Sequence, residues 1–311
     1  MTTQKTTTEP TTDEPTTGRR STGRRSTGRS TKPMIGDRSA LLLFLGYAVL
    51  VFFSFVYLYP FLVQLTTAFK TNTDAVANPL SLVADPFTTA AFRELAERDF
   101  PLWFTNSVVV TLLVTAGRVF LCSLAGYALA RIKFRGRSAV FTAILAVMAV
   151  PGVILLIPKF LVLRYLGIYD TYPALVLPLL VDAAGVFIMK QFFESIPESI
   201  EEAARIDGAG TFRTFWSVVL PMARPALITI TILSFQGSWN ELPHFIVASQ
   251  DSDLFTLTKG VATLTSGQLG SGSQYPITMA AALLMTIPVA IVFFVFQKYL
   301  VRGGTSGAVK G

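Results

Sequence analysis

Arg118, Lys159, Asp182, Gln236, Asn240, Glu241 and His244 all stand inside otherwise apolar runs of this 311-residue chain. Such groups are costly to place in hydrocarbon, so they mark either a solute path or the polar contacts that hold helices together. Gln236 and Asn240, four residues apart, share one helix face, and Glu241 follows them. Arg118 and Asp182 are candidates to pair with each other, and the long stem of Lys159 suits it to reach water from near the end of a span. None of this makes a catalytic set. The single histidine excludes a multi-histidine metal centre, and the single cysteine, Cys122, excludes a disulfide framework or thiolate metal site. Without a clustered acid, base and nucleophile, the chain reads as one that moves or binds something rather than transforming it.

The elements that must position these residues are set by composition. The chain is 51% hydrophobic and 14% charged, far from the roughly one quarter charged residues of a soluble domain. It reads as an all-α integral membrane protein. Runs of about 20 apolar residues, enough to cross about 30 Å of hydrocarbon, give about six spans. They are Leu41–Leu65, Ser107–Ala130, Ala139–Leu163, Tyr172–Phe187, Ala226–Val247 and Ile277–Phe296, the fourth broken by Pro178.

Lys and Arg concentrate in the segment before Leu41, in the second connection (Arg131, Lys133, Arg135, Arg137), in the fourth (Lys190, Arg205, Arg213, Arg224) and after Phe296. By the positive-inside rule these face the cytoplasm, with both termini. The net charge of +7 is thereby a matter of topology and does not call for nucleic acid. Residues 1–38 form a basic, Thr/Arg/Gly-rich tail, expected to be disordered and to lie near anionic lipid. Its stretch GRRSTGRRSTGRS lacks the Lys-hydroxyl pair of a phosphate loop, since Arg24 and Arg25 occupy those positions. Residues 39–300 form the transmembrane body and 301–311 a second cytoplasmic tail. The first apolar run is too long for a cleavable signal peptide and is expected to stay as an anchor.

Within the fourth connection, residues 193–222, lies EEAARIDGAGTFRTFWSVVLP. Ser195 with Glu198 predicts a capping-box start, and Glu201 with Arg205 an i,i+4 pair on the polar face. Ile196, Ile200, Ala203 and Ala204 form the opposite face, Gly208 and Gly210 stop the helix, and a second short helix from Thr211 carries Phe212, Phe215, Trp216 and Val219 before Pro221. The pattern is a helical elbow that either rests on headgroups or docks a cytoplasmic partner; the small Ala203, Ala204 and Gly208 tilt it toward docking.

Glu202-Ala203-Ala204, Gly208 after three residues and Val218-Val219-Leu220-Pro221 after nine more resemble the E-A-A-x3-G-x9-I-x-L-P signature of ABC importer permeases, with Val218 in place of Ile. AGYALARIKFRGR, IPKFLVLRYLGIYDTYPALVLPLL and FQKYLVRGGTSGAVKG are similar to the carbohydrate-uptake branch, specifically the smaller maltose-type subunit. The resemblance covers Leu41 to Gly311. It implies the transmembrane domain of a type I ABC importer, half of a heterodimeric pathway with a larger homologous permease. ATP and Mg would bind a separate ATPase dimer, and no cofactor this chain. The elbow would be a coupling helix docking that ATPase through Glu202, Ala203, Ala204, Gly208, Leu220 and Pro221. The connection 256–275, read as a polar mobile loop, would reach an extracytoplasmic solute-binding protein through Ser266, Gly267, Gln268, Leu269 and Gly270. The tail Gly307, Ala308, Val309, Lys310 and Gly311 would follow the ATPase interface. The solute would be a sugar or oligosaccharide, with Gln236, Asn240 and Glu241 either hydrogen-bonding it or pairing within the helices. A glycerol-phosphate-type solute is the alternative. An ion-coupled transporter would need midplane carboxylates in two repeats, and the sequence shows none.

Overall fold

The computed structural model describes residues 37–266 and 274–305, and every regular element among them is helical. That follows from the setting, since hydrocarbon offers no partner to a backbone N–H or C=O, and a helix satisfies them within one segment. In chain order the helices are α1 (Asp37–Thr67), α2 (Asn72–Ala77), α3 (Ala90–Glu97), α4 (Phe100–Arg131), α5 (Arg137–Met148), α6 (Leu156–Tyr165), α7 (Tyr172–Val176), α8 (Ala183–Ser195), α9 (Glu198–Ile206), α10 (Thr211–Thr214), α11 (Leu220–Met222), α12 (Arg224–Trp239), α13 (Pro243–Ala248), α14 (Leu257–Ser266) and α15 (Tyr275–Thr305). A π-helical turn, Phe215–Val219, joins α10 to α11.

Among the described residues three uninterrupted helices are long and apolar enough to cross a membrane: Leu42–Thr67, Phe100–Arg131 and Tyr275–Tyr299. Three further spans arise only if bent pairs count as one each. In the third span α5 gives way to a 3-10 turn at Gly152–Leu155, and the path turns by 100° into α6. Pro151 lacks an N–H and disfavours helical backbone at Val150, so the helix stops there. The fourth bends by 42° between Leu179 and Ala183.

That second bend also settles Asp182. Its carboxylate accepts from the N–H of Gly185 at 2.8 Å and caps α8. Arg118 instead donates from Nε to the carbonyl of Leu179 at 2.8 Å, and no ion pair within 4 Å joins the two among the described residues. The expected Arg118–Asp182 pair is therefore replaced by two side-chain-to-backbone bonds that hold the same bend.

The fifth span ends at Trp239, not at Val247. Asn240 caps α12, and the Glu241 carboxylate accepts from the N–H of His244 at 2.8 Å to open α13 as a separate helix. The final helix continues through Gly303 and Gly304 to Thr305.

The described residues divide into two units, one up to Phe55 and one from Val56 onward. In the first, the described side chains from Leu42 to Phe55 are all exposed, as lipid-facing residues would be. In the second, α4 packs against both α8 and α12. A Cβ added at Gly126 would lie 2.6 Å from Met189 Cβ and 2.9 Å from the Lys190 nitrogen, so α4 and α8 meet nearly backbone to backbone. At 32 residues and about 1.5 Å per residue, α4 is about 48 Å long and overreaches the hydrocarbon. One end carries Asn106, the other Arg131, and each anchors a different construction.

Candidate functional site

At the Arg131 end the chain turns through the elbow, α9 to α11. Its first helix starts later than the capping-box pattern predicts. Ser195 belongs to α8, where its hydroxyl donates to the Phe192 carbonyl at 2.7 Å, and Pro197 leads directly into Glu198 without a side-chain cap. Gly208 ends α9 at φ +81, a left-handed conformation that glycine adopts without strain, while the N–H of Ala209 returns to the Ala204 carbonyl at 2.9 Å.

The charge placement also departs from the pattern. Glu201 is only 2% exposed; it faces inward, and its nearest cation is Arg131, whose Nε lies 2.7 Å from Oε1. The pair is a close charge contact rather than an aligned hydrogen bond. Arg205, the expected partner, stands at 3.8 Å on Oε2, with its side chain largely in solvent. The Tyr127 hydroxyl donates to the same carboxylate at 3.1 Å. Arg131 also approaches Glu198 at 3.5 Å and donates to the carbonyls of Phe193, at 2.7 Å, and Ile196. One guanidinium thus ties the end of α4 to the end of α8 and the start of the elbow. Buried charges persist only when paired and hydrogen-bonded. Here the charges are paired, and their hydrogen bonds run through Glu201 Oε2 and Arg131 Nη2, while the facing Oε1 and Nε have no hydrogen-bond partner among the described residues.

Beneath this knot lies a cluster of Tyr127, Met189, Phe193, Ile196, Phe215, Val219 and Ile230. The expected stripe of the second helix is split by it. Phe215 and Val219 enter the core, whereas Phe212 is 71% and Trp216 50% exposed, their rings stacked at 6.4 Å. The outward face of the first helix carries Glu202, Ala203, Ile206 and Gly208, all exposed, while Ala204 points inward. Leu220 is half-buried and Pro221 exposed; Pro221 stands inside the last turn rather than closing it. The elbow is therefore rigid on one side and carries an unpartnered, partly apolar surface on the other.

At the Asn106 end charged and amide groups bind backbone. Asn106 donates to the carbonyls of Asp253 at 2.8 Å and Phe255 at 3.0 Å and accepts from the Tyr172 hydroxyl at 2.6 Å. Asp170 accepts from the N–H groups of Gln250 and Asp251 at 2.8 and 3.0 Å. Lys259, 7% exposed, donates to the Ser249 carbonyl; burial pushes its ammonium below the ordinary lysine value, and the Asp170 carboxylate opposes that shift. His244 is buried, with Nε2 3.1 Å from the Ala174 carbonyl. The connection 256–275, expected to be a mobile loop, is helical as α14 over its first half, held by the Leu257 N–H on the Ser107 hydroxyl at 2.6 Å.

Gln236 and Asn240 share an exposed face, as their spacing predicts; the Asn240 amide donates to the Gln236 carbonyl at 2.9 Å, and their side chains are not bonded to each other. Glu241 is engaged with α13. Ser266 closes α14, whereas Gly267 to Gly270 and Gly307 to Gly311 lie outside the described residues. Tyr127, Arg131 and the inward Glu201 escaped the sequence reading. The available signal was an arginine closing the last turn of a span, counted there only for its charge.

Comparison with known proteins bears on the whole arrangement. Residues 119–304 match the family described as binding-protein-dependent transport system inner membrane component. The arabinooligosaccharides transport system permease protein AraQ of Halalkalibacterium halodurans is 33% identical over 87% of this chain and 96% of its own length. The sn-glycerol-3-phosphate transport system permease protein UgpE of Yersinia enterocolitica is 29% identical over 87% of this chain and 98% of its own. The crystal structure of a bacterial ABC transporter involved in the import of the acidic polysaccharide alginate superposes with a TM-score of 0.74 at 25% identity, covering 86% of this chain and 99% of that one. The chain is a transport subunit rather than an enzyme, and it belongs to the binding-protein-dependent transport system inner membrane component family.

Proposed function

We propose that this permease imports a sugar or oligosaccharide as one half of a heterodimeric pathway, driven by a separate ATPase dimer that docks on the elbow. The observation that carries the reading is the elbow's two-sidedness. Glu201 locks it to Arg131 from within, while Glu202, Ala203, Ile206 and Gly208 face outward and are exposed among the described residues. A short helix fixed in this way passes a rigid-body shift to the packed helices behind it. Glu202 would be its polar contact, with Ala203 and Gly208 permitting close approach and Leu220 and Pro221 fixing the second arm. ATP and Mg would bind the ATPase, both termini and the elbow would face the cytoplasm, and a solute-binding protein would deliver the solute on the other side. The tail Gly307 to Gly311 would follow the ATPase interface, and the segment Ser266 to Gly270 would reach the binding protein. Sugar as the solute is favoured by the arabinooligosaccharide and alginate relatives; a glycerol-phosphate-type solute is the second reading, favoured by the Yersinia relative.

The test is the double substitution Glu202→Lys with Gly208→Leu. It should abolish uptake and strip the ATPase from the purified complex, while membrane insertion persists because neither residue lies in a span. Wild-type uptake with an undiminished ATPase-to-permease ratio would sink the assignment.

A further inference from the structure

A groove of about 430 Å3 runs between α6 and the turn after α7, lined by Leu155, Pro158, Val162, Leu166, Leu177 and Lys159. Its lining is aliphatic except for Lys159, half-buried and, among the described residues, without a hydrogen bond or ion pair to its ammonium. Helix lengths set the depth expected for this cation. Leu163, one turn beyond Lys159, is buried in the cluster that contains Val110 of α4. Val110 lies about 31 Å along α4 from Arg131 at about 1.5 Å per residue, and the hydrocarbon is about 30 Å thick. The chain turns by 100° between α5 and α6, so with α5 directed across the membrane α6 lies along that boundary rather than through it. Tyr165, 91% exposed at its end, is the residue type found at such boundaries.

We propose that the groove is a phospholipid site, with an acyl chain along the aliphatic lining and the headgroup phosphate on the Lys159 ammonium, in the leaflet opposite the elbow. Both halves of the ligand are matched. An unpaired ammonium at headgroup depth attracts a phosphate through a charge-assisted hydrogen bond. A sugar would find no convergent donors or acceptors in so aliphatic a wall, and a protein segment would have to bring a carboxylate into it.

The experiment uses the full importer complex in mild detergent with added phosphatidylglycerol, read by native mass spectrometry. Lys159→Gln should lower the fraction of complex carrying bound lipid about tenfold, the order expected for one charged hydrogen bond. Lys159→Arg should retain it, and Val162→Trp, which fills the groove, should lose it. Equal lipid occupancy in wild type and Lys159→Gln would overturn the site. So would a photo-crosslinker at Leu166 that captures another protein chain instead of phospholipid.

Discussion

The two ends of α4 hold their surroundings by different means. At the Arg131 end a cation meets an anion, and the same guanidinium also donates to two backbone carbonyls, so one side chain joins the end of α4 to the α8–α9 junction, far from it in sequence. At the Asn106 end the charged and amide groups bind backbone: Asn106 on two carbonyls, Asp170 on two N–H groups, Lys70 on the carbonyls of Asn78 at 2.7 Å and Ser81 at 2.9 Å. A side chain bonded to backbone fixes the loop it touches, one loop at a time. An ion pair between side chains fixes whole elements to each other and leaves their outer faces uncommitted. The first construction suits a surface that must keep its shape; the second suits a lever.

If that contrast is right, the Arg131 end should fail as a unit. Arg131→Ala leaves Glu201 buried without its cation, and breaking a buried pair from one side typically costs about 3–5 kcal/mol. Thermal unfolding of the purified complex should show that loss, along with weakened ATPase retention. The double substitution Arg131→Met with Glu201→Leu removes both charges and should recover more than half of the stability, because no lone charge remains. A double variant no better than the single one would mean that Arg131 acts through its bonds to the Phe193 and Ile196 carbonyls alone, and the contrast would collapse.

The Asn106 end should respond more mildly and more locally. Gly260 of α14 packs on Trp103, and a Cβ added there would come within 2.1 Å of the indole ring. Trp103 is buried, so the ring has little room to yield and α14 must shift. Overpacking of this kind typically costs about 1–3 kcal/mol. Gly260→Ala should therefore lower the unfolding temperature less than Arg131→Ala does. Faster amide exchange should be confined to α14 and the 253–257 segment, with the elbow unchanged. Exchange that spread to the elbow would show the two ends to be one cooperative unit.

The apolar runs and turn chemistry of the sequence carried most of the architecture. About six spans, an elbow closed at Gly208 and a shared Gln236–Asn240 face all follow from local pattern, because span length and helix periodicity are local properties. Glu201 was misread for a reason that is equally physical. Its spacing to Arg205 is the ordinary surface pattern, and only Arg131, some 70 residues earlier in the chain, turns it inward. Ser195 failed as a cap because its hydroxyl found the Phe192 carbonyl first. The loop after Thr256 became a helix because the Ser107 hydroxyl and the Trp103 ring wait there to receive it, and neither is visible in the loop's own composition. The fifth span stopped early because a carboxylate one residue past Asn240 could begin a new helix.

The smallest expected effect isolates one backbone-binding carboxylate at the Asn106 end. Asp74 in α2 accepts from the Asn78 side-chain amide at 2.9 Å and from the N–H of Asp85 at 3.2 Å. Those two bonds hold its carboxyl below the ordinary aspartate value against the opposing effect of burial, with the Lys70 charge assisting. A carboxylate whose folded value is depressed contributes stability that is present above the unfolded value of about 3.9 and is lost as pH falls through the folded one. Protonation removes the charge that both donors favour, so the Asp85 amide should be the first to loosen. The protection factor of that amide should decline as pH is lowered from about 5 to below about 4, while amides of the elbow helix keep theirs over the upper part of that range. Asp74→Asn presents a neutral oxygen to one donor only; its Asp85 protection should start lower and stay flat with pH. A wild-type profile as flat as the variant's would show that the 79–85 loop is held by Lys70 alone, and Lys70→Met should then release it.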